Sequence, residues 1–367
     1  MTGRPEAPDG RGDQDPVVDE GRNPLPTTPV DPDARRTRRH RRRKRVLRIT
    51  LVLLLCLLGV LYVATERFAD NVARVPAVFD DLDPASRPAQ PTGNSAHGLT
   101  FLIAGSDSLS SDPSTGTGAP ALSPGGQRSD VVMVVRLSPD RDQAAVVSIP
   151  RDSWVDIPEH GMAKVNAAYS WGGPPLMVRT VEALTGVRID HFAVVDFTGF
   201  KTIVDAVGGI DVARPVDEGV TDPLHLDGRG ALDYVRVRQG LPHGDLDRVR
   251  RQQNALRALN SKIVSGNLLS DPVACYELVD AVSRSVSVDD TLTNDDLRSL
   301  AIGLRKLRNG TVVFATAPVA DVGQEGEQSV VHLDHERGAD LWRALGEDQA
   351  ARYLAAHPAD VLGDSPR

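Results

Sequence analysis

The sequence predicts an α/β domain preceded by a disordered tail and one transmembrane helix, and three observations carry that expectation. Short apolar runs alternate with segments of helical periodicity, the pattern of a sheet flanked by helices. One 17-residue apolar run, Ile49 to Thr65, directly follows a dense basic cluster. The charge is segmented, with net +5 in residues 1–48 and net −13 in the remainder. At 367 residues, 40% hydrophobic and 25% charged, the chain is long enough to bury a sizeable core. Its acidic main body argues against nucleic acid as a partner, because domains that grip phosphate backbones present net positive charge. Two cysteines, Cys56 and Cys275, exclude a disulfide framework and a multi-cysteine zinc site, and Cys275 reads as a buried small residue.

From the amino end, residues 1–45 read as a cytoplasmic, disordered basic tail. Its first 33 residues hold too little apolar content to offset the entropy of ordering, and Arg35 to Arg45 contains nine Lys or Arg in eleven positions. Residues 46–65 read as a transmembrane signal-anchor, oriented with its amino end in the cytoplasm by the positive charge on that side. A cleaved signal peptide is the rival, but Val63-Ala64-Thr65 is a weak cleavage site and the preceding tail is too long. Everything beyond Glu66 is then expected outside the cell membrane. Residues 66–97 read as a stalk, punctuated by Pro76, Pro84, Pro88 and Pro91. The core is expected over 98–267, with 268–350 belonging to the same domain and 351–367 forming a tail.

Within the core, "LTFLIAG", Val131 to Leu137 and Gln143 to Pro150 predict strands. Helical patterning covers Lys164 to Trp171, Pro175 to Leu184, Phe197 to Val207 and Asp247 to Val264, with "SWGGPP" as a turn. Further on, helices are expected over Pro272 to Ser285, Asn294 to Arg308 and Glu336 to Leu345, and a strand over Val312 to Ala317.

Chemistry concentrates at the ends of strands, where α/β folds place ligands. Asp107 follows the first strand, Arg128 and Asp130 precede the second, and Arg151 and Asp152 follow the third behind Pro150. Arg236 and Arg238, two apart, share a face only if the backbone there is extended. Asp245, Arg248 and Gln252 fall on one side of a helix, and the same stripe continues to Leu256 and Leu259. Each residue alone has a plain reading as a turn former, a solvated face or core. Together, several arginines with carboxylates among them suit a diphosphate held with Mg²⁺, for which Asp107 and Asp130 are the candidate ligands. The apolar stripe suggests that the diphosphate bears a lipid. His160, His191, His225 and His243 lack metal-ligand spacing.

The blocks "FLIAGSD", "RSDVVMVVRLSP", "VVSIPRDSWVDIP", "KVNAAYSWGG", "GRGALDYVRVRQ" and "GDLDRVRRQQNAL" follow one another in the order seen in LytR-CpsA-Psr proteins. Over about Leu99 to Val264 the chain resembles that family. The resemblance implies a single α-β-α layered, extracytoplasmic domain with a mixed central sheet. It also implies a phosphotransferase that moves a glycopolymer from a polyprenyl diphosphate carrier onto peptidoglycan, forming a phosphodiester. Carried over by motif, Asp107 and Asp130 coordinate Mg²⁺, while Arg128, Arg151, Arg236, Arg238 and Arg248 grip the diphosphate and Asp245 and Gln252 line the same pocket. Arg128, Asp130, Arg151 and Asp152 are the candidate catalytic residues, with Asp130 or Asp152 taking a proton. The family pattern often has Arg two residues after the first acid, where this chain has Leu109. A polyprenyl diphosphate hydrolase and a non-enzymatic envelope regulator are the alternatives. Arg151, taken as an exposed rim residue, is expected to tolerate Arg151→Ala without loss of fold.

Overall fold

A computed structural model describes residues 66–107, 128–214, 222–237, 245–265, 271–309 and 311–361. The expected tail and transmembrane anchor lie outside these residues, as do the loop 108–127 and Arg238. Among the described residues no helix is long and apolar enough to cross a membrane.

A short helix α1 (residues 66–71) leads into β1 (Ala73–Val75). Then come β2 (Leu99–Asp107), β3 (Arg128–Leu137), β4 (Gln143–Ile149), the hairpin β5 (Trp154–Ile157) and β6 (Gly161–Lys164), and α2 (Val165–Thr185). The middle of the chain gives β7 (His191–Asp196), α3 (Phe197–Ala206), β8 (Ile210–Val212), β9 (Leu224–Leu226), α4 (Gly228–Arg236) and α5 (Asp245–Ser265). The remainder is α6 (Pro272–Ser285), β10 (Val286–Asp289), α7 (Asn294–Gly303), β11 (Thr311–Thr316), the hairpin β12 (Val319–Glu325) and β13 (Gln328–Leu333), α8 (His335–Gly346) and α9 (Ala350–Ala356).

Seven strands form one mixed sheet in the order β1-β10-β7-β2-β3-β4-β11. Strand β2 runs parallel to β7, β4 runs parallel to β11, and β3 is antiparallel to its neighbours β2 and β4. The carboxyl ends of β2, β4, β7 and β11 therefore share one rim with the start of β3. Both faces are covered, which is why β3 reads as an unbroken "VVMVV" rather than an alternating pattern. Leu102, Val132, Val134, Val147 and Phe192 face α2, α8 and α9. On the other face Met133, Val146 and Phe314 receive Leu256 of α5, and Phe101, Ala193 and Val288 receive Leu297 and Leu300 of α7. A separate apolar cluster joins α3, α4, α5 and α6 through Ile203, Val204, Val235, Ala255 and Leu278. The expected turn at "SWGGPP" is a kink within α2, where Gly173 takes φ 64°, a conformation that favours glycine.

Two expectations need correction. Residues 66–97 are not a stalk: β1 is a strand of the main sheet, and Val75, Val78 and Leu82 are buried in the core, so apolar residues spaced between the prolines anchor the segment. The tail expected at 351–367 is folded as far as Val361, because Leu354 is buried in α9 and Val361 bridges to Ala315 on the edge strand. Arg236 is the last residue of α4, whose amino end Asp227 caps by accepting from Gly230 N at 2.7 Å.

Candidate functional site

At the centre of the rim β2 and β3 pair out of step. Gly105 lies opposite Val131 but Ser106 lies opposite Ser129, so Asp130 is the extra residue of a β-bulge. Ser129 Oγ donates to Val131 O at 2.7 Å across the irregularity. A side chain at position 105 would close this arrangement, because its Cβ would stand 2.6 Å from Val131 Cβ. The bulge takes Asp130 out of the alternation that buries Val132 and Val134, and its buried carboxylate accepts from Arg151 Nη1 in an ion pair.

Arg151 and Asp152 stand on the loop leaving β4 at Pro150, and four backbone hydrogen bonds hold that loop. Ser153 N donates to Pro150 O at 3.0 Å, and Val331 N of β13 donates to Asp152 O at 2.9 Å. The first amides of α2, Val165 N and Asn166 N, donate to Ser153 O at 2.8 Å and to Arg151 O at 3.3 Å. Orphan donors of a helix amino end thus find acceptors in the loop itself. Arg151 Nε also lies 3.6 Å from Asp152 Oδ2, and Lys164 Nζ lies 3.1 Å from Asp152 Oδ1. Two acids and two cations alternate along Asp130, Arg151, Asp152 and Lys164. Side-chain exposure rises from 5% at Asp130 to 19% at Asp152, so an incoming group meets Asp152 first.

Helix α5 closes the rim at β11. Buried Gln253 donates from Nε2 to Ala315 O at 2.7 Å and to Thr316 Oγ1 at 3.1 Å, and Thr316 pairs with Ser148 of β4. That clamp fixes Arg248 and Gln252, both buried on the same helix. Asn254 Nδ2 donates to Tyr234 Oη at 2.9 Å, and the Arg251 guanidinium lies 5.0 Å from the Tyr234 ring centre, tying α5 to α4. Leu256 and Leu259 are packed into different apolar clusters, so the stripe beyond the arginines is core. Ser148 Oγ, Ser153 Oγ and Gln253 Oε1 are buried here and make no hydrogen bond among the described residues, a concentration of polar groups typical of ligand sites.

At the β7 end, Asp196 caps α3 by accepting from Gly199 N at 2.7 Å, and the next residue, Phe197, carries the Arg236 guanidinium 4.4 Å from its ring centre. Asp107 and Arg128 are register partners at the mouth of β2 and β3, so the backbone puts both at the rim. Their side chains and that of Asp245 lie outside the described residues. A cavity of about 170 Å³ between α2 and α8 lies on the opposite face of the sheet from α5 and does not open on this cluster.

The structure thus joins Asp130, Arg151 and Asp152 directly, puts Arg248 and Gln252 buried on α5, and places Arg236 on α4 over Phe197 at the β7 end. Arg151 is not the exposed residue expected: its side chain is 18% exposed and neutralises a buried acid. Lys164, Asp196 and Gln253 escaped the sequence reading, although Lys164 opens "KVNAAY" and Gln253 completes "RRQQ". Among the described residues no three His, Cys, Asp or Glu form a metal cage. Asp107 and Asp130, the expected Mg²⁺ ligands, stand on the adjoining ends of β2 and β3, with the Asp107 side chain outside the described residues.

The sequence model of the LytR_cpsA_psr family matches residues 80–347. The chain is 33% identical over 305 residues to the cell wall biosynthesis protein LcpA of Corynebacterium glutamicum, covering 71% of this chain and 58% of that protein. It is 36% identical over 268 residues to the probable cell wall biosynthesis protein LcpB of the same organism, covering 69% and 62%. It is 35% identical over 185 residues to the polyisoprenyl-teichoic acid–peptidoglycan teichoic acid transferase TagU of Enterococcus faecalis, covering 48% and 59%. The chain therefore spans only 58% to 62% of these curated relatives. Among solved structures, "TagT bound to LI-WTA" superposes with a TM-score of 0.54 at 21% identity, covering 72% of this chain and 96% of that one. The "LytR-Csp2A-Psr enzyme from Actinomyces oris" does so with a TM-score of 0.55 at 23% identity, covering 75% and 96%. These two likenesses are of fold. The family match takes in every strand that contributes to the rim and well over half of the chain, and the protein belongs to the LytR-CpsA-Psr family.

Proposed function

We propose that the protein is a phosphotransferase that moves a glycopolymer from a polyprenyl diphosphate carrier onto peptidoglycan, forming a phosphodiester. The observation that carries this reading is the Asp130, Arg151, Asp152 and Lys164 cluster, gathered around a braced loop at the rim that α5 closes with buried Arg248. Relatives named for cell wall biosynthesis and for teichoic acid transfer to peptidoglycan support it.

In this proposal Arg128, Arg151, Arg236, Arg238 and Arg248 donate to the diphosphate oxygens, and Asp245 and Gln252 line the same pocket. A peptidoglycan hydroxyl oxygen attacks the glycan-proximal phosphorus. The bond from that phosphorus to the bridging oxygen breaks, and polyprenyl phosphate leaves with the electron pair. Asp152, the more exposed carboxylate, takes the hydroxyl proton, with Lys164 orienting it. Asp107 and Asp130 would hold Mg²⁺, which neutralises charge on the phosphate oxygens when bound. Little covalent chemistry falls to the protein, so its rate enhancement comes from position and preorganised charge. Ile49 to Thr65 would anchor the chain in the cell membrane, with the amino end cytoplasmic and the domain extracytoplasmic.

The test gives the full chain, reconstituted in lipid, a polyprenyl diphosphate glycan and a peptidoglycan acceptor, with and without Mg²⁺. A glycan–peptidoglycan phosphodiester formed only with the metal supports the proposal. Free glycan phosphate as the product would instead make it a hydrolase, and no turnover would favour the regulator.

A further inference from the structure

Helix α6 has a broader apolar surface than the domain covers. Leu278 and Ala281 are buried, and Leu278 enters the cluster formed with α3, α4 and α5. A neighbouring flank carries Cys275, Tyr276, Val279 and Val282, within about 120° of one another around the helix. Tyr276 is 50%, Val279 39% and Val282 38% exposed, and Cys275 is half-buried rather than buried as its sequence context suggested. The charged residues Glu277, Asp280 and Arg284 occupy a different side of the helix, so the apolar flank is a distinct surface. Among the described residues a single ring meets it: Phe68 of α1 contacts Tyr276 edge-on, with centroids 5.1 Å apart.

Helix α1 is itself fastened between α6 and α7. Asn71 Nδ2 donates to Ser283 Oγ at 3.5 Å, Asn294 Nδ2 donates to Asp70 Oδ1 at 2.9 Å, and Glu66 pairs with Arg298. The chain therefore enters the domain at a fixed place beside the bare flank of α6, and the residues immediately before that place are the apolar run Ile49 to Thr65. From this we infer that the flank Tyr276, Val279 and Val282 lies against the surface of the lipid bilayer, immediately next to the point where the chain leaves it. The inference rests on the anchored reading proposed above. Tyr276 at the level of the headgroups matches the interfacial preference of its ring, the two valines add apolar area facing the acyl boundary, and exposed Arg67 beside Phe68 supplies a cation for lipid phosphates. The adjoining side of α6, which carries Leu278, lines the apolar cluster that includes Phe197, the platform under Arg236. A carrier lipid leaving the bilayer would then be one helix away from the rim.

The experiment uses the full chain in phosphatidylcholine and phosphatidylglycerol liposomes. One fluorophore is placed on a single cysteine, Val279→Cys or Val282→Cys, in a Cys56→Ser, Cys275→Ser background, and quenched by headgroup nitroxide lipid. Both positions are expected to be quenched severalfold more than Glu277→Cys on the charged side or Arg343→Cys on α8. Quenching at positions 279 and 282 equal to that at 277 and 343 overturns the inference. So does a flank whose label is shielded by a second copy, read as energy transfer between labelled chains at low surface density. The native Cys56 label in Cys275→Ser separates the two readings. If it is quenched by acyl-chain nitroxide while positions 279 and 282 are not, the anchor stands and the inference falls. If it remains in water, both fall.

Discussion

Replacing Arg151 by alanine is expected to cost stability as well as turnover, which makes the Arg151–Asp130 pair the most informative perturbation in the molecule. Asp130 has a 5% exposed side chain and Arg151 an 18% exposed one, so the alanine takes the Arg151 cation away from a buried carboxylate. Removing one member of a buried ion pair costs about 3–5 kcal/mol, and the partial exposure of Arg151 brings the expectation to about 2–3 kcal/mol. Asp130→Asn keeps the volume and leaves Arg151 the carboxylate of Asp152, 3.6 Å away, so about 1–2 kcal/mol is expected. Because both substitutions remove the same interaction, the double variant is expected to fall short of the sum by about 1–2 kcal/mol. Urea unfolding followed by tryptophan fluorescence in detergent micelles reads these differences. Arg151→Lys retains the charge but not the planar fork, so turnover is expected to fall by about 10²-fold with most of the stability kept. Strictly additive costs, or an Arg151→Ala variant as stable as the parent, would refute the pairing as the reason Asp130 is tolerated inside.

Three further outcomes follow from other parts of the fold. Gly105→Ala puts a Cβ 2.6 Å from Val131 Cβ, so it is expected to cost about 1–3 kcal/mol and to lower turnover of the lipid-linked donor by displacing Asp130; unfolding and initial rates check the two effects separately. Arg136 is buried at the opposite end of β3, pairing with Asp348 at 2.8 Å and donating to Thr100 Oγ1 at 3.0 Å, so Arg136→Ala is expected to cost about 3–5 kcal/mol while leaving the rate per folded molecule unchanged. For Asp289, burial alone would raise the carboxyl pKa, but hydrogen bonds from His191, Thr291 and Phe192 N outweigh it and hold the pKa below its usual value. A lowered folded-state pKa means that its stabilisation is complete above the unfolded value of about 3.9 and disappears as pH falls through the folded one. The stability gap between the parent and Asp289→Asn is therefore expected to be widest near neutral pH and to narrow below about pH 4, read as urea midpoints.

Three strands buried on both faces were legible in the sequence, as was the edge strand β11, whereas the equally central β7 was not. "LTFLIAG", "VVMVVRL" and "QAAVVSIP" are continuous apolar runs because helices cover the sheet on both sides, and they form β2, β3 and β4. Strands β1 and β10 were missed for a different reason. They are short segments at one edge of the sheet, and their pairing, Ala73 with Ser287 through Val75 with Asp289, joins residues more than two hundred positions apart. No local pattern encodes such a partner. Proline spacing suggested a stalk over 66–97, yet Val75, Val78 and Leu82 between the prolines supply core contacts, so proline count was a poorer guide than apolar spacing.

The site shows the same division between local and long-range information. Arg151 and Asp152 were found because strand, proline and charged pair follow one another in the chain, and motif order carried Arg248 and Gln252. What could not be read is the way Asp130 is turned out of the strand alternation, since a β-bulge is a property of two strands and becomes visible only when Gly105 is seen opposite Val131 and Ser106 opposite Ser129. Lys164 illustrates the same limit: it lies twelve residues beyond Asp152 in sequence, at the far end of a hairpin that the apolar pattern of "WVDI" and "GMAK" hardly announces. Closing that hairpin returns the chain to the loop, so one turn brings both the lysine to Asp152 and the first amides of α2 to the carbonyls of Arg151 and Ser153. Any change that slips the β5–β6 register, in which Trp154 faces Lys164, would therefore remove a cation and two backbone donors from the loop at once. The charge balance of the rim depends on that register as directly as on the identity of its charged residues.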